Sequence, residues 1–181
     1  MSFSPPLQSI LTRLPREPGT YALLLRLPAA RELAIGALGR HTLPAGTHIY
    51  VGSALGAGGL RSRIAHHAGI ARRLRWHLDY VRPHADLYAL WFSVHPSRLE
   101  DDWARTILAL DGATVQVPGF GASDRPGVSH LIHFTTTPIL VRFTERLGPA
   151  HPHVRCLKWV SHDPDSLDRH FATHGPCTNT K

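Results

Sequence analysis

The sequence predicts a small α/β domain of the α+β type: a mainly antiparallel central sheet of three or more strands, flanked by helices. Three observations predict it. Short apolar runs that read as strands crowd the first third of the chain, separated by Pro- and Gly-containing breaks. Two later segments, Leu60–Ala71 and Arg98–Leu110, carry helical signals. At 181 residues with 43% hydrophobic side chains, the chain holds material for one real core and is not globally disordered. Residues 1–17 read as a lead-in, 18–137 as the main domain and 138–181 as a basic, histidine-rich appendage.

Each element follows from local chemistry. The proline-containing lead-in leaves room for a short helix at Leu7–Leu14. Thr20–Leu27 (TYALLLRL) opens after Pro18-Gly19 and reads as a buried strand. Glu32–Leu38 is a second strand after the turn at Pro28-Ala29-Ala30, and His48–Val51 a third after Leu43-Pro44-Ala45-Gly46. Three short strands joined by tight turns predict an antiparallel meander. Gly56-Ala57-Gly58-Gly59 is a loop, followed by an amphipathic helix with Leu60, Ile64, His67, Ala68 and Ala71 on one face. Trp76–Tyr80 forms an element closed by Pro83, and Asp86–Val94 (DLYALWFSV) is a further strand. Ser97 followed by Glu100 is a capping-box signal for the second helix. Residues 119–124 form a loop, and Ser129–Phe134 is a last strand. Beyond Pro138, prolines recur, and one or two short helices are expected.

The composition narrows the function classes. A formal charge of +7 predicts a polyanionic partner. Of the 20 basic residues all but Lys158 and Lys181 are arginines, whose planar fork suits bidentate phosphate contact. Codon usage in a GC-rich genome raises arginine everywhere, but it does not explain clustering. Arg61, Arg63, Arg72, Arg73, Arg75 and Arg82 fall in one segment whose only acid is Asp79, which predicts a phosphate-binding face. No apolar run reaches membrane-spanning length, and the first residues lack the order of a signal peptide. Cys156 and Cys177, without metal-type spacing, exclude a disulfide scaffold and make a cytoplasmic protein the default.

Cleaving a phosphodiester needs an activated water, neutralisation of the pentavalent phosphate and stabilisation of the leaving oxygen. Tyr21 and Tyr50, on neighbouring strands, can place two phenols beside one phosphate, and one serves as general base if arginine and metal lower its pKa. Arg63 and His67, four residues apart, share a helix face, with the histidine assisting proton transfer. Glu100, Asp101 and Asp102 open a helix, where acids also offset the macrodipole. One of them can hold a hard cation such as Mg2+ or Mn2+. Trp76 can stack on a base or pack its helix on the sheet, and His77 can pair with Asp79 near the cleft. His66-His67 and His151-x-His153 have no specific metal spacing.

With these residues in view, the chain resembles the GIY-YIG nuclease superfamily from about residue 18 to 135. Gly19-Thr20-Tyr21 looks like its GIY element and Tyr50-Val51-Gly52 like its YIG element. The resemblance places the superfamily's arginine on Arg63, in preference to Arg61, its histidine on His67 and its metal-binding glutamate on Glu100. More narrowly, the chain resembles a branch sometimes joined to an endonuclease-III-like glycosylase. In that branch the YVGSA strand leads to a Gly-rich loop, then to a Trp-His-x-Asp-Tyr segment, here Trp76–Tyr80. A late loop running from Phe120 through Asp124 to Ser129-His130-Leu131 completes the match.

The resemblance implies a Mg2+- or Mn2+-dependent endonuclease acting on nucleic acid, with DNA favoured and a DNA-repair partner expected. Its implied catalytic residues are Tyr21, Tyr50, Arg63 and His67, with metal at Glu100. Arg61, Arg72, Arg73, Arg75, Trp76 and His77 are expected to bind nucleic acid; Asp79, Asp124, Ser129 and His130 form an additional set. The branch commonly carries cysteines where this chain has Arg125-Pro126-Gly127-Val128, so no role built on them applies. The alternatives are a nucleic-acid-binding module on the same fold that no longer cuts, and a protein-interaction domain. For the nuclease reading, both phenols, Arg63 and Glu100 are expected to open into one cleft.

Overall fold

Strand β1 (Gly19–Leu27) forms because a run of aliphatic residues starts at a Pro-Gly break, and every residue in it except Arg26 is buried. The computed structural model describes residues 5–69, 73–122 and 128–158. Along the chain it gives α1 (Pro5–Arg13), β1, β2 (Arg31–Ala34), β3 (Arg40–Leu43), β4 (Gly46–Ala54), α2 (Gly59–Ala68) and α3 (His77–Val81). Then follow β5 (Asp86–Val94), α4 (Glu100–Leu108), β6 (Leu131–Phe134), α5 (Leu140–Leu147) and β7 (Arg155–Lys158). The expected α+β class, with an antiparallel central sheet flanked by helices, is what forms.

The main sheet has five strands in the order β6-β4-β1-β5-β7, every neighbouring pair antiparallel. β1 pairs with β4 without interruption from Gly19↔Ala54 to Leu27↔Gly46. The expected meander is therefore corrected. β2 does not join the sheet; it pairs with β3 in a separate two-stranded hairpin inserted between β1 and β4. The single strand expected at Glu32–Leu38 is broken after Ala34 by a 3₁₀ turn at Gly36–Leu38, where Gly36 takes a positive φ of 49°.

Alternation along β1 sends successive side chains to opposite layers. Tyr21, Leu23, Leu25 and Leu27 join a core with Leu14, Leu60, Ile64, Leu78, Val81 and Phe120, beneath α1, α2 and α3. Ala22 and Leu24 join a second core with Trp91, Trp103, Ile107 and Phe143, beneath α4 and α5. α2 ends at Ala68, earlier than the expected Ala71, and Ala71 itself lies outside the described residues. The capping box expected from Ser97 does not form. α4 starts at Glu100 behind Leu99, and the Ser97 amide instead donates to His95 Nδ1 at 3.1 Å. The last strand starts at Leu131, two residues later than expected, because Ser129 Oγ donates to the Val117 carbonyl and the ladder begins beyond it.

The segment read as an appendage supplies α5 and β7. Phe143 stacks on Trp91 with ring centroids 5.3 Å apart and meets Trp103 edgewise at 5.1 Å. β7 extends the sheet along β5, from Phe92↔Arg155 to Ala89↔Lys158. Phe143→Ala is expected to destabilise the protein by about 3–5 kcal/mol, as deletion of a fully packed aromatic ring does. Urea denaturation checks this, and a loss below about 1 kcal/mol would mean that α5 adds little to the core.

Candidate active site

The β1–β4 register puts Tyr21 opposite Gly52 and Leu23 opposite Tyr50, so both phenols project from the same face of the sheet. Their ring centroids lie 6.4 Å apart. The Tyr21 ring lies across Gly52: a Cβ at that position would sit 2.5 Å from the phenol oxygen. The glycine of the second motif is therefore required by the tyrosine of the first, a close approach only Gly permits.

Helix α2 is laid over these phenols by its own start. Gly59, at φ 51°, packs so closely that a Cβ would meet the Arg16 carbonyl at 2.0 Å. The Leu60 and Arg61 amides donate to the carbonyls of Glu17 and Pro15, at 3.0 and 2.9 Å. Backbone carbonyls thus serve where a side-chain cap is missing. Two turns on, His67 reaches the phenols, its ring 6.0 Å from Tyr21 and 5.6 Å from Tyr50. Arg63, one turn earlier, holds its guanidinium 4.5 Å from the centre of the Trp76 ring, a cation–π contact.

Burial sets the electrostatics. Tyr21, Tyr50, His67 and Glu100 are all between 1% and 8% exposed, so other side chains cover all four. The open cleft expected from the sequence is closed in this conformation. Burial is the main cause that raises both phenol pKa values; for Tyr21 the neighbouring Tyr50 adds to it, and for Tyr50 the Glu100 carboxylate does. Arg63 opposes the rise at both. His67 is pushed down to about 3, first by burial and then by His66, with Asp79 opposing. It is a neutral imidazole at physiological pH, and neither ring nitrogen has a hydrogen-bond partner among the described residues.

The carboxylates enter from two sides. Asp79, buried at the start of α3, accepts the Arg75 and Trp76 amides on Oδ2 at 2.8 and 3.0 Å. Its Oδ1 lies 3.3 Å from His66 Nε2 and 4.0 Å from His67 Nδ1. Glu100, at the α4 N-terminus, accepts from Arg98 at 3.1 Å. Asp101 Oδ1 is 2.9 Å from His130 Nε2, and oxygen or nitrogen atoms of Glu100, Asp101 and His130 all lie within 4.8 Å of one another.

The family described as "Domain of unknown function DUF123" matches residues 20–150. The chain belongs to that family. No curated protein and no solved structure matches it. The DUF123 match runs from β1 past α5, so Tyr21, Tyr50, Arg63, His67, Asp79, Glu100 and His130 all lie inside it.

Other expected residues sort differently. The arginine cluster does not act as one face. Arg82 is buried, donating to the carbonyls of His67 at 2.7 Å, Ala68 at 3.0 Å and Ala85, and so caps the C-terminal end of α2. Arg61 donates to the Leu14 and Thr12 carbonyls at 2.7 and 2.9 Å and ties α1 to α2. Arg73 and Arg75 are exposed. Arg72 and Asp124 lie outside the described residues. His77 and Asp79 do not pair: His77 Nδ1 accepts the Gly121 amide at 2.9 Å, while Asp79 faces the two histidines of α2. Trp76 packs edgewise on His66 and His67. Ser129 Oγ is spent on backbone carbonyls.

Asp101, expected to offset the helix dipole and counted among three carboxylates that can hold a cation, pairs with His130; no spacing signal links residues 29 apart in the chain. Asp102 pairs with Arg105 on its own helix.

The lowered histidines make stability pH-dependent. His67 titrates near 3 when folded against an ordinary value of 6.5, and His48 near 4 for the same main reason, burial. Between those values the unfolded chain binds protons that the folded chain does not, so stability is complete above pH 6.5 and falls as pH drops. Each group contributes a slope of at most about 1.4 kcal/mol per pH unit. Urea midpoints measured from pH 7 to 5 are expected to decline, and His67→Gln, which cannot be protonated there, is expected to flatten the decline. An unchanged decline in that variant would show that His67 is not a buried neutral group.

Proposed function

We propose that the chain is a metal-dependent endonuclease that hydrolyses nucleic-acid phosphodiesters, DNA being favoured, in the manner of the GIY-YIG superfamily its motifs resemble. One observation carries the reading: two phenols, a neutral imidazole and a guanidinium converge on one sheet face, within the field of the Glu100 carboxylate. The Glu100 carboxylate, beside Asp101 and His130, is a hard oxygen donor of the kind Mg2+ or Mn2+ prefers. When bound, such an ion supplies Lewis-acid neutralisation of the phosphate.

The residues of the chain divide the remaining work. A water oxygen attacks phosphorus, the P–O bond to one strand breaks, and a phosphate monoester and a hydroxyl result. Arg63 neutralises charge on the pentavalent phosphate. The raised phenols stay protonated at neutral pH, so Tyr21 and Tyr50 donate hydrogen bonds to the water and phosphate oxygens. His67, with a free acceptor nitrogen, takes the proton of the attacking water; an arriving phosphate anion raises its basicity. The Arg63–Trp76 pair covers His67 and must be displaced as substrate enters.

Burial of both phenols favours one alternative, a nucleic-acid-binding module on this fold that no longer cuts. Purified protein with Mg2+ or Mn2+, tested against single-stranded, duplex, nicked and branched nucleic acids, separates the two readings. Cleavage supports the enzyme; binding without cleavage supports the module. Tyr21→Phe and Arg63→Ala are each expected to lower cleavage by about 10²–10⁴-fold with the fold intact by circular dichroism. Glu100→Ala is expected to be rescued in part by excess metal, and Asp102→Ala to leave the rate unchanged. If none of Tyr21, Tyr50, Arg63, His67 and Glu100 affected a measured cleavage, the superfamily reading would fail.

Binding is expected to weaken with salt, by about 0.9 in log–log slope for each phosphate contact. Replacing Arg72, Arg73 and Arg75 with alanine is expected to reduce affinity and slope together while leaving stability unchanged. Salt-independent binding would count against a nucleic-acid partner.

A further inference from the structure

We propose a second cation site, distinct in chemistry from the one at Glu100: His66 Nε2, His67 Nδ1 and Asp79 Oδ1 bind a borderline-soft divalent ion of the zinc class. Two imidazoles and one carboxylate suit such ions, whereas Mg2+ prefers oxygen donors throughout. Three donor atoms, one from each residue, lie within 4.8 Å of one another. Asp79 Oδ1 lies 3.3 Å from His66 Nε2 and 4.0 Å from His67 Nδ1. Zinc-to-ligand bonds of about 2.0–2.2 Å in a tetrahedron span donor pairs of about 3.3–3.6 Å, so small side-chain adjustments bring all three to one ion.

A second observation points to a ligand. His67 is 1% exposed, and neither of its ring nitrogens has a hydrogen-bond partner among the described residues. Its Nδ1 faces Asp79 Oδ1 at a distance too long for a hydrogen bond. A buried donor or acceptor left in this way is costly, and an ion at the centre of the three satisfies it. The surroundings match a built metal centre. The carboxylate is fixed through its other oxygen by the Arg75 and Trp76 amides, the outer-sphere support that orients metal-binding carboxylates. The Trp76 ring closes the side, 4.4 Å from His66 and 5.4 Å from His67 by centroids.

The site does not depend on whether the chain cuts nucleic acid. If it does cut, an ion here occupies the Nδ1 of His67 and draws that ring away from proton transfer, so zinc-class ions inhibit while Mg2+ activates.

The test uses the full chain and Co2+ as probe, followed by its visible ligand-field absorption. One Co2+ per chain is expected to give intense tetrahedral bands that Zn2+ displaces and Mg2+ does not. His66→Ala, at a half-buried position, is expected to weaken binding at least about tenfold without unfolding the protein. His66→Gln is expected to do the same, which separates ligand loss from a packing defect. Glu100→Gln is expected to keep the Co2+ spectrum while raising the Mg2+ concentration that any cleavage needs, so the two sites fail independently. Absence of tetrahedral bands, as expected if a water joins the three groups, overturns the proposal. So does a spectrum that neither His66 variant alters, since it would place the ion on other histidines.

Discussion

Strand β1 has neighbours in every direction: β4 and β5 along its edges, helices over both faces. Because strand periodicity is two, a slip of one residue would send Leu23, Leu25 and Leu27 to the wrong layer. It would carry Tyr21 with them, away from α2 and toward α4. The placement of the first phenol is thus enforced by the burial of three leucines that take no part in chemistry. The unbroken ladder from Gly19↔Ala54 to Leu27↔Gly46 then fixes which residue Tyr21 meets across the strand pair.

How much of this was legible depended on how local the cause is. Asp86–Val94 is a strand over the expected residues, because its apolar and aromatic run is a property of the segment itself. The helix at Glu100 was expected from Ser97 and Glu100 read as a capping box; the helix forms there, but the cap that announced it does not, because the Ser97 amide turns to His95. Strand partners are not local. Nothing in Arg31–Ala34 says that it pairs with Arg40–Leu43 and leaves β1 to find β4 further on. β7 was hidden because Arg155 and Lys158 gave the segment a basic, polar look, while Cys156 and Leu157 are half-buried against the sheet. At the site, the two tyrosines, Arg63 and His67 were found by motif and helix spacing. The arginines were misjudged as a group: Arg82 and Arg61 serve carbonyls brought near by tertiary packing, which charge counting does not detect.

The buried site costs stability. An imidazole with no hydrogen-bond partner forgoes about 1–3 kcal/mol for each unsatisfied group. Such an arrangement persists only where the surroundings fix it more firmly than it resists. Here α2 is held at both ends: the Glu17 and Pro15 carbonyls accept from its first amides, and the Arg82 guanidinium donates to carbonyls at its last turn. His67 lies in that last turn. The same arginine that was read as a phosphate ligand therefore helps keep the histidine where it faces both phenols.

The contact between Tyr21 and Gly52 makes two motifs, 29 positions apart by their tyrosines, a single steric unit. Neither position can drift alone while the ring stays in place. A side chain at position 52 becomes tolerable only after the residue at position 21 has shrunk, and a lineage that took that step would lose the phenol first. Mutational histories through this pair are therefore ordered: loss of the tyrosine opens the way to loss of the glycine, and the reverse path is blocked. Relatives that keep the glycine without the tyrosine would mark chains part-way along that route.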